Sequence, residues 1–589
     1  MKSLELMKID YKLYKPTLDS LTPRQQILYN RDIPVEEQSD WLNAYWNDVN
    51  DFHLLKNIRD AAVMIINHCM WTSSKITILQ DADGDGLTST AIIANYIYRI
   101  CEKEPTILVH EGKAHGLADM DLDRIIDTTN LLIIPDASSN DYEQHKYLHD
   151  NGVDIVICDH HHCEKYSDNA IVVNNQLDDY PNKNFCGAGV TWQLCRQMDE
   201  MCHFDYAKDL VDLCALGLCA DMISYREKEV RALVNIGYAS IKNKFFKAFV
   251  DKQEFSLNKM NGLNYLSSSF YVVPYLNACC RTGKMVEKRL LINALLDYKC
   301  DTLIPSSKRG EKGKEVPIWQ EAITVIERVK RRQTKLQDEA MEFFEYQIQS
   351  KKLTDNAIIT CVCGKDDAEP GILGLVANKI QAKYQHPTLV LQEVEEEDGV
   401  HLKGSARNYS YCPIEDMRSL CEDTGIVDYA AGHGSAFGLS LSLANFYDFL
   451  DKTNEEYKGI DFKPVYLVDY IWNYDRINPK YVLDIAELNI YGQGIPESKV
   501  VVEDIALDNV NVQLLGEAKG HPTIKISLPS GVDIMKFKSS REEFEEWTSG
   551  EKKLTIVGKC SKNSWMGNVT PQILIEDFEL EDYEEEWVF

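Results

Sequence analysis

An α/β chain of several domains, with a doubly wound parallel sheet near its start, is the fold class that three features of the sequence predict. From Lys75 to about Tyr225, short apolar strands alternate with helical stretches: ITIL, TILVH from Thr106, LLIIP from Leu131, DIVIC from Asp154 and AIVVNN from Ala170. Such alternation builds a parallel sheet covered on both faces. A helical pattern from about Val316 to Lys352, charged on one side, is long enough to separate two domains. Short strands such as TIKISL, IMKFK and KLTIVGKC, divided by Gly and Pro turns, fill Val500 to about Leu580 and predict a β-rich last domain. At 589 residues the chain exceeds one ordinary core, and three or four domains are expected.

Met1 to about Met70 alternates polar and apolar residues at helical spacing, broken at Pro34, and carries no motif; it is read as a helical packing segment. The chemistry begins at KITILQDADGDGLTSTAIIANYIY, from Lys75 to Tyr98. An apolar strand stops at Asp81, Asp83 and Asp85, and an apolar helix opens from Thr88. Three carboxylates at the end of a buried strand repel one another unless a cation neutralises them, so a divalent metal site is expected. A solvated Asp/Gly turn capping a helix is the plainer alternative, common for one Asp and not for three. Asp136 follows LLIIP directly, and Asp159, His160 and His161 close DIVIC, which puts all of them at the carboxyl edge of the same sheet. Asp221 ends the apolar segment LVDLCALGLCADMIS, read as a helix that delivers one more carboxylate. Asp and His without thiolate suit Mg²⁺ or Mn²⁺ better than a structural zinc.

These motifs resemble the DHH phosphoesterase superfamily and, within it, the RecJ single-strand-specific exonucleases. The matching stretches are DADGDGLTS at Asp81, the Asp at 136, DHH at Asp159, CGAGVTWQL at Cys186, ALGLCAD ending at Asp221 and NACCRTG at Asn277. Further on, PGILGLVANKI from Pro370, KGSARN from Lys403 and AAGHGSAFG from Ala430 resemble the DHH-associated domain, and IYGQGIPE at Ile490 the entry to an oligonucleotide/oligosaccharide-binding (OB) barrel. The resemblance divides the chain into a segment at 1–70, a catalytic domain at 71–300, a basic loop and connecting helix at 301–352 and the DHH-associated domain at 353–450. A connection at 451–499, an OB-like domain at 500–580 and an acidic tail at 581–589 complete it. It implies two Mn²⁺ or Mg²⁺ ions held by Asp83, Asp85, Asp136, His160 and Asp221, with Asp136 bridging and Asp81 and Asp159 in or near the ligand shell. By the same resemblance His161 holds a ligand or meets the scissile phosphate, and Arg281 neutralises charge developing on that phosphate. Ser405, Arg407, Gly432 and His433 would hold the substrate. The chain departs from the family pattern at Glu369, where relatives have His, at Lys379, where they commonly have Arg, and around His110, where Lys113 stands in for a missing Arg.

Two readings of the last domain stay open. Lys525, Lys536, Lys538, Lys559 and Lys562, with Trp565 close by, fit a base-stacking platform or a solubilised edge strand equally well. A net charge of −30 excludes indiscriminate adhesion to nucleic acid, so any such surface is local; basic clusters lie at Ser306–Lys314 and Arg328–Lys335. No apolar run reaches spanning length, the N-terminus has no signal-peptide pattern, and the 17 cysteines lack disulfide or zinc spacing, so a cytoplasmic monomer with reduced thiols is expected. The resulting expectation is a metal-dependent 5′-to-3′ exonuclease on single-stranded DNA, in repair or recombination. The rivals are a DHH phosphodiesterase for short oligoribonucleotides or cyclic dinucleotides, which usually lacks the connecting helix and barrel, and a non-catalytic replication scaffold, which would have lost metal carboxylates. The tail EDYEEEWVF ends an acidic run in three apolar residues. It reads as inert and solvated, as a dock for a single-strand-binding protein or other replication or repair partner, or as a competitor for DNA.

Overall fold

The computed structural model describes residues 9–111, 115–177, 179–410, 412–414, 416–565 and 568–582; Lys113, the Trp565 side chain and the tail from Tyr583 fall outside them. Strand β1 (Asp10–Leu13) opens the description and belongs to a sheet completed near residue 465. The chain then divides into two units, one of residues 40–335 with 489–495, the other of 1–39, 336–488 and 496–589.

In the 40–335 unit, β2 (Ile76–Gln80), β3 (Thr106–Val109), β4 (Leu131–Pro135), β5 (Asp154–Asp159) and β6 (Ile171–Asn174) form an all-parallel sheet ordered β3-β2-β4-β5-β6. β2 and β4 are buried throughout, which explains their unbroken apolar sequence. The chain leaves β2 toward β3 and returns to the other side at β4, so the strand order reverses between β2 and β4; ligands of open α/β sheets bind at such a switch point. Helix Gly84–Cys101, buried along most of its length, packs with Gly187–Cys202 and Val211–Ala220 over one face. The helix Ile58–Met70 joins this same core through Ala61, Ala62 and Ile65, so the helical segment expected to end at residue 70 is divided between the two units. Residues 489–495 return to plug it: Gln493 accepts a hydrogen bond from the Tyr225 N–H at 2.8 Å.

A short hairpin, β7 (Leu303–Pro305) with β8 (Glu315–Pro317), presents the basic loop, and the 34-residue helix Ile318–Lys351 runs from one unit into the other. There β9 (Ile359–Cys363), β10 (Thr388–Glu396), β11 (Gly399–Arg407), β12 (Tyr429–His433) and β13 (Ala436–Ser442) form a mixed sheet ordered β12-β13-β11-β10-β9. The segment 451–499, read from sequence as a plain connection, supplies β14 (Val465–Val468), β15 (Tyr470–Asn473) and helix Pro479–Ala486. β14 takes β1 as a parallel partner, which corrects the all-helical expectation for the N-terminal segment. Beside this pairing the buried Arg31 guanidinium donates to both oxygens of Asp469, at 2.7 and 2.9 Å. β16 (Val500–Ala506), β17 (Asn511–Leu515), β18 (Thr523–Ser527), β19 (Asp533–Phe537), β20 (Lys552–Trp565) and β21 (Asn568–Asp582) join β15 in a seven-stranded OB-like sheet. No helix among the described residues is long and apolar enough to cross a membrane.

Candidate metal centre

The acids borne by strands lie on the carboxyl edge of the parallel sheet, and Asp221 ends helix Val211–Ala220. Asp81 and Asp83 follow β2, Asp136 follows β4, and Asp159 is the last residue of β5. Asp83 caps helix Gly84–Cys101, its Oδ1 accepting from the N–H groups of Asp85 (3.0 Å) and Gly86 (3.1 Å). Asp85, inside that first turn, accepts from Gly187 N–H at 2.6 Å on Oδ2 and from Ala188 N–H at 3.0 Å on Oδ1. Those amides are the first two of helix Gly187–Cys202, whose dipole favours the negative charge. A Cβ on Gly187 would lie 2.5 Å from the Asp136 Cβ, so only glycine lets this helix start against that carboxylate.

Asp136 itself sits at φ +74°, the left-handed region, held by a hydrogen bond from its N–H to the Cys158 carbonyl at 2.7 Å. Strain of this kind persists where surrounding structure fixes a functional group. Its Oδ1 is buried and receives no hydrogen bond; His160 Nε2 stands 3.2 Å away, and 3.6 Å from Asp221 Oδ2. Two sets of three donors result, Asp81/Asp83/Asp136 and Asp85/His160/Asp221, the atoms of each within 4.8 Å of one another. Asp136 and His160 join the sets.

Burial, and then the neighbouring charges of Asp85, Asp83 and Asp81, pushes the Asp136 carboxyl well above its ordinary range. Asp221 rises well above it for the same reasons, burial first and Asp85 and Asp83 next, and Asp83 rises through burial, Asp81 and Asp85. Exposed Arg281 opposes both rises, so its charge faces the cluster. Its helix is tied to the turn through Asn277, whose Oδ1 accepts from Gly84 N–H at 2.9 Å. Crowded carboxylates with unsatisfied oxygens on Asp81 and Asp136, and one imidazole, are the donor set of a hard or borderline divalent cation.

Asp159 is placed differently from the other acids. Oδ1 accepts from His160 N–H (2.7 Å), His161 N–H (3.1 Å) and His161 Nδ1 (2.8 Å), and Oδ2 from Ser139 N–H (3.1 Å). Burial alone would raise this carboxyl, but the His161 hydrogen bond and charge outweigh it and hold it far below its ordinary value. Burial likewise opposes protonation of His161, and Asp159 reverses that, lifting the imidazole to about 9. Burial and the His161 charge lower His160, which keeps its ring neutral as a ligand must be. His115 has no place in the acidic motifs read from the sequence, yet its Nδ1 lies 2.8 Å from Asp81 Oδ1. The only hint of it was its place in the glycine-bearing loop after β3, the strand beside β2.

Ser405 and Arg407 project from one face of β11 toward the start of helix Leu373–Tyr384. A Cβ on Gly374 would lie 2.8 Å from Arg407 Nη2 and 3.2 Å from Ser405 Oγ. Arg407 pairs in register with Ala436 and Ala436 with His433, so Arg407 and His433 share a sheet face with small residues between. Gly432, at φ +133°, precedes His433 on β12.

The lysine platform is not a single face. Lys525 pairs with Met535, Met535 with Leu574 and Leu574 with Lys559 in one row, whereas Lys536 pairs with Ile524 and Lys562 with Pro571 on the opposite side. Each of these four lysines also faces a carboxylate: Lys525 with Asp533 (2.8 Å), Lys536 with Glu543 (2.8 Å), Lys559 with Glu497 (2.7 Å) and Lys562 with Glu487 (3.2 Å).

Residues 75–218 match the DHH family, N-terminal domain, and residues 468–577 the RecJ OB domain. A Bacillus subtilis protein named as an SPbeta prophage-derived single-strand DNA-specific exonuclease, YorK, is 31% identical over 579 residues, covering 97% of this chain and 98% of the relative. The single-stranded-DNA-specific exonuclease RecJ of B. subtilis is 26% identical over 547 residues, covering 91% of this chain and 65% of RecJ. Among solved structures, RecJ of Thermus thermophilus in complex with Mn²⁺ shares the fold with a TM-score of 0.68 at 19% identity, over 98% of this chain and 80% of that one. With its acidic motifs gathered on one sheet edge and a relative of this identity matched end to end, the chain belongs to the DHH family, in its RecJ branch.

Proposed function

We propose that this chain is a metal-dependent exonuclease that hydrolyses single-stranded DNA from its 5′ end. The observation that carries the reading is the pair of three-donor sets joined at Asp136 and His160, in a chain whose relatives are named as single-strand-DNA-specific exonucleases. Two divalent ions, Mn²⁺ or Mg²⁺, would supply an activated water and relieve charge on the departing oxygen. Asp81, Asp83 and Asp136 would hold one ion and Asp85, His160 and Asp221 the other. Asp159 orders the Asp-His-His turn and keeps His161 protonated, so that His161 can donate to the scissile phosphate. Arg281 offers a delocalised charge to the oxygens that gain charge in the transition state.

The substrate's 5′ phosphate is assigned to Ser405, Arg407 and the first amides of helix Leu373–Tyr384, a charge-assisted grip of the kind helix N-termini provide. His433 and the small residues of β12 and β13 would border it. One gel tests the reading: end-labelled single strands of DNA and of RNA, with and without Mn²⁺, cut by the wild type and by Asp136→Asn. Nucleotides released one at a time from the 5′ end of DNA, only with metal and only by the wild type, are expected. Cleavage confined to short RNA strands would transfer the chain to the oligoribonucleotide phosphodiesterases, and no cleavage of either would make it a scaffold.

A further inference from the structure

Two imidazoles meet in a T-shaped contact beside the carboxylate cluster, and only one of them belongs to the Asp-His-His turn. His161 Nδ1 lies 2.8 Å from Asp159 Oδ1, and His115 Nδ1 lies 2.8 Å from Asp81 Oδ1. Both carboxylates are buried, at 1% and 8% side-chain exposure, while the two histidines are open to 47% and 48%. Their ring centroids stand 4.9 Å apart at an interplanar angle of 71°. The arrangement is therefore two Asp-His pairs arising from different strands, one after β5 and hydrogen-bonded, the other after β3 and at ion-pair distance. With Nδ1 turned to a buried carboxylate, hydrogen-bonded to it in His161 and at ion-pair distance from an otherwise unsatisfied Asp81 oxygen in His115, each ring has its Nε2 left for a ligand. A histidine that served only to hold Asp81 could be buried, whereas this one stays half exposed beside His161.

The geometry points to His115 as a second substrate-contacting histidine: with His161 it forms a two-imidazole clamp on the nonbridging oxygens of the scissile phosphate. The clamp rests on the reading of the carboxylate cluster as the place of phosphodiester hydrolysis. It adds a residue that the acidic motifs do not contain and that approaches from the strand on the far side of β2. It also gives the loop after β3 a task that does not depend on an arginine.

Three substitutions separate contact from support. An asparagine amide at 115 falls where Nδ1 was and can still serve Asp81, a glutamine amide reaches to where Nε2 was, and alanine does neither. Steady-state cleavage of 5′-phosphorylated single-stranded DNA should show kcat about 100-fold lower for His115→Ala and His115→Asn, with His115→Gln within about 10-fold of wild type. Calorimetric titration with Mn²⁺ in the absence of DNA should give all three variants the wild-type affinity. The clamp is overturned if His115→Asn retains wild-type kcat, if His115→Gln is no better than alanine, or if Mn²⁺ affinity falls in parallel with activity, since each outcome reduces His115 to a support for Asp81. Wild type and Asp136→Asn run beside them: a wild type without nuclease activity defeats the underlying reading, whereas an active wild type with an unaffected His115→Ala defeats the clamp alone.

Discussion

Asp159 spends both carboxylate oxygens on hydrogen bonds from residues 139, 160 and 161, whereas Asp136 keeps a buried oxygen free; the two acids therefore answer substitution in opposite ways. Asp136→Asn removes a charge that burial and four neighbouring carboxylates oppose, and asparagine tolerates the left-handed backbone at that position. Its metal-free melting temperature should rise by about 2–4 °C, the shift that about 1 kcal/mol brings to a large domain. Its turnover should fall by about 1,000-fold or more. Scanning calorimetry in chelator and the nuclease assay check the two halves, and a variant that melts lower would show that Asp136 is stabilising without metal. For Asp159→Asn the signature is a pH profile. Asp159 releases its proton more readily in the fold than in the unfolded chain, so its contribution is present above about pH 4 and lost as pH falls below that. His161 keeps its proton to about pH 9 in the fold but only to about 6.5 unfolded, so its contribution is full below about 6.5 and disappears as pH rises through about 9. The stability gap between wild type and Asp159→Asn, measured without metal, should be widest from about pH 4 to 6.5 and narrow toward pH 9.5. A gap constant from pH 5 to 10 would refute the paired role.

At the scale of elements, the helix that starts at Gly187 brings its N-terminus to the Asp85 carboxylate, and the helix that starts at Leu373 begins beside Ser405 and Arg407. Gly187→Ala forces a methyl group against Asp136 and should destabilise the fold by about 1–3 kcal/mol, read from denaturant melts, and weaken Mn²⁺ binding through the displaced carboxylate. An unchanged Mn²⁺ affinity would mean that helix and carboxylate can separate without consequence. Arg407→Ala should slow cleavage of 5′-phosphorylated strands about tenfold more than that of 5′-hydroxyl strands, because a charge-assisted bond worth roughly 1.5 kcal/mol is lost only when the phosphate exists. Equal losses on both substrates would make Arg407 a general backbone contact. What could be read from sequence follows the same elements. Buried parallel strands write themselves as unbroken apolar runs, so β2, β4 and β5 and the acids just after them were legible. β1 was not, because DYKL acquires strand identity only from a partner at Val465–Val468. The two faces of the lysine-bearing strands were equally hidden, since their register against β19 and β21, and the carboxylates opposite, are long-range facts. His115 carried no periodic or motif signal; its meaning comes from Asp81 and His161 across the sheet edge.

For the molecule as a whole, the net charge is −30, and in the last domain Lys525, Lys536, Lys559 and Lys562 already face acids that compete with a DNA backbone for them. Binding of single-stranded DNA to the cleavage-deficient Asp136→Asn variant should therefore weaken only gently with salt. The plot of log affinity against log salt is expected to be shallower than about −3, the equivalent of roughly four neutralised phosphates. A slope near −6 would reveal a basic track that the ion pairs conceal. The interleaving of the two units bears on how the chain comes off the ribosome. Asp10 waits for Val465, Arg31 for Asp469 and Tyr225 for Gln493. At about 5–20 residues per second, the first forty residues spend tens of seconds with Ile27 and Leu28 uncovered, and the unit that carries the carboxylates is not closed until residue 495 has emerged. A nascent chain is thus spared from becoming a nuclease before it is nearly finished, and its leading segment stays without its folded partners through most of its own translation.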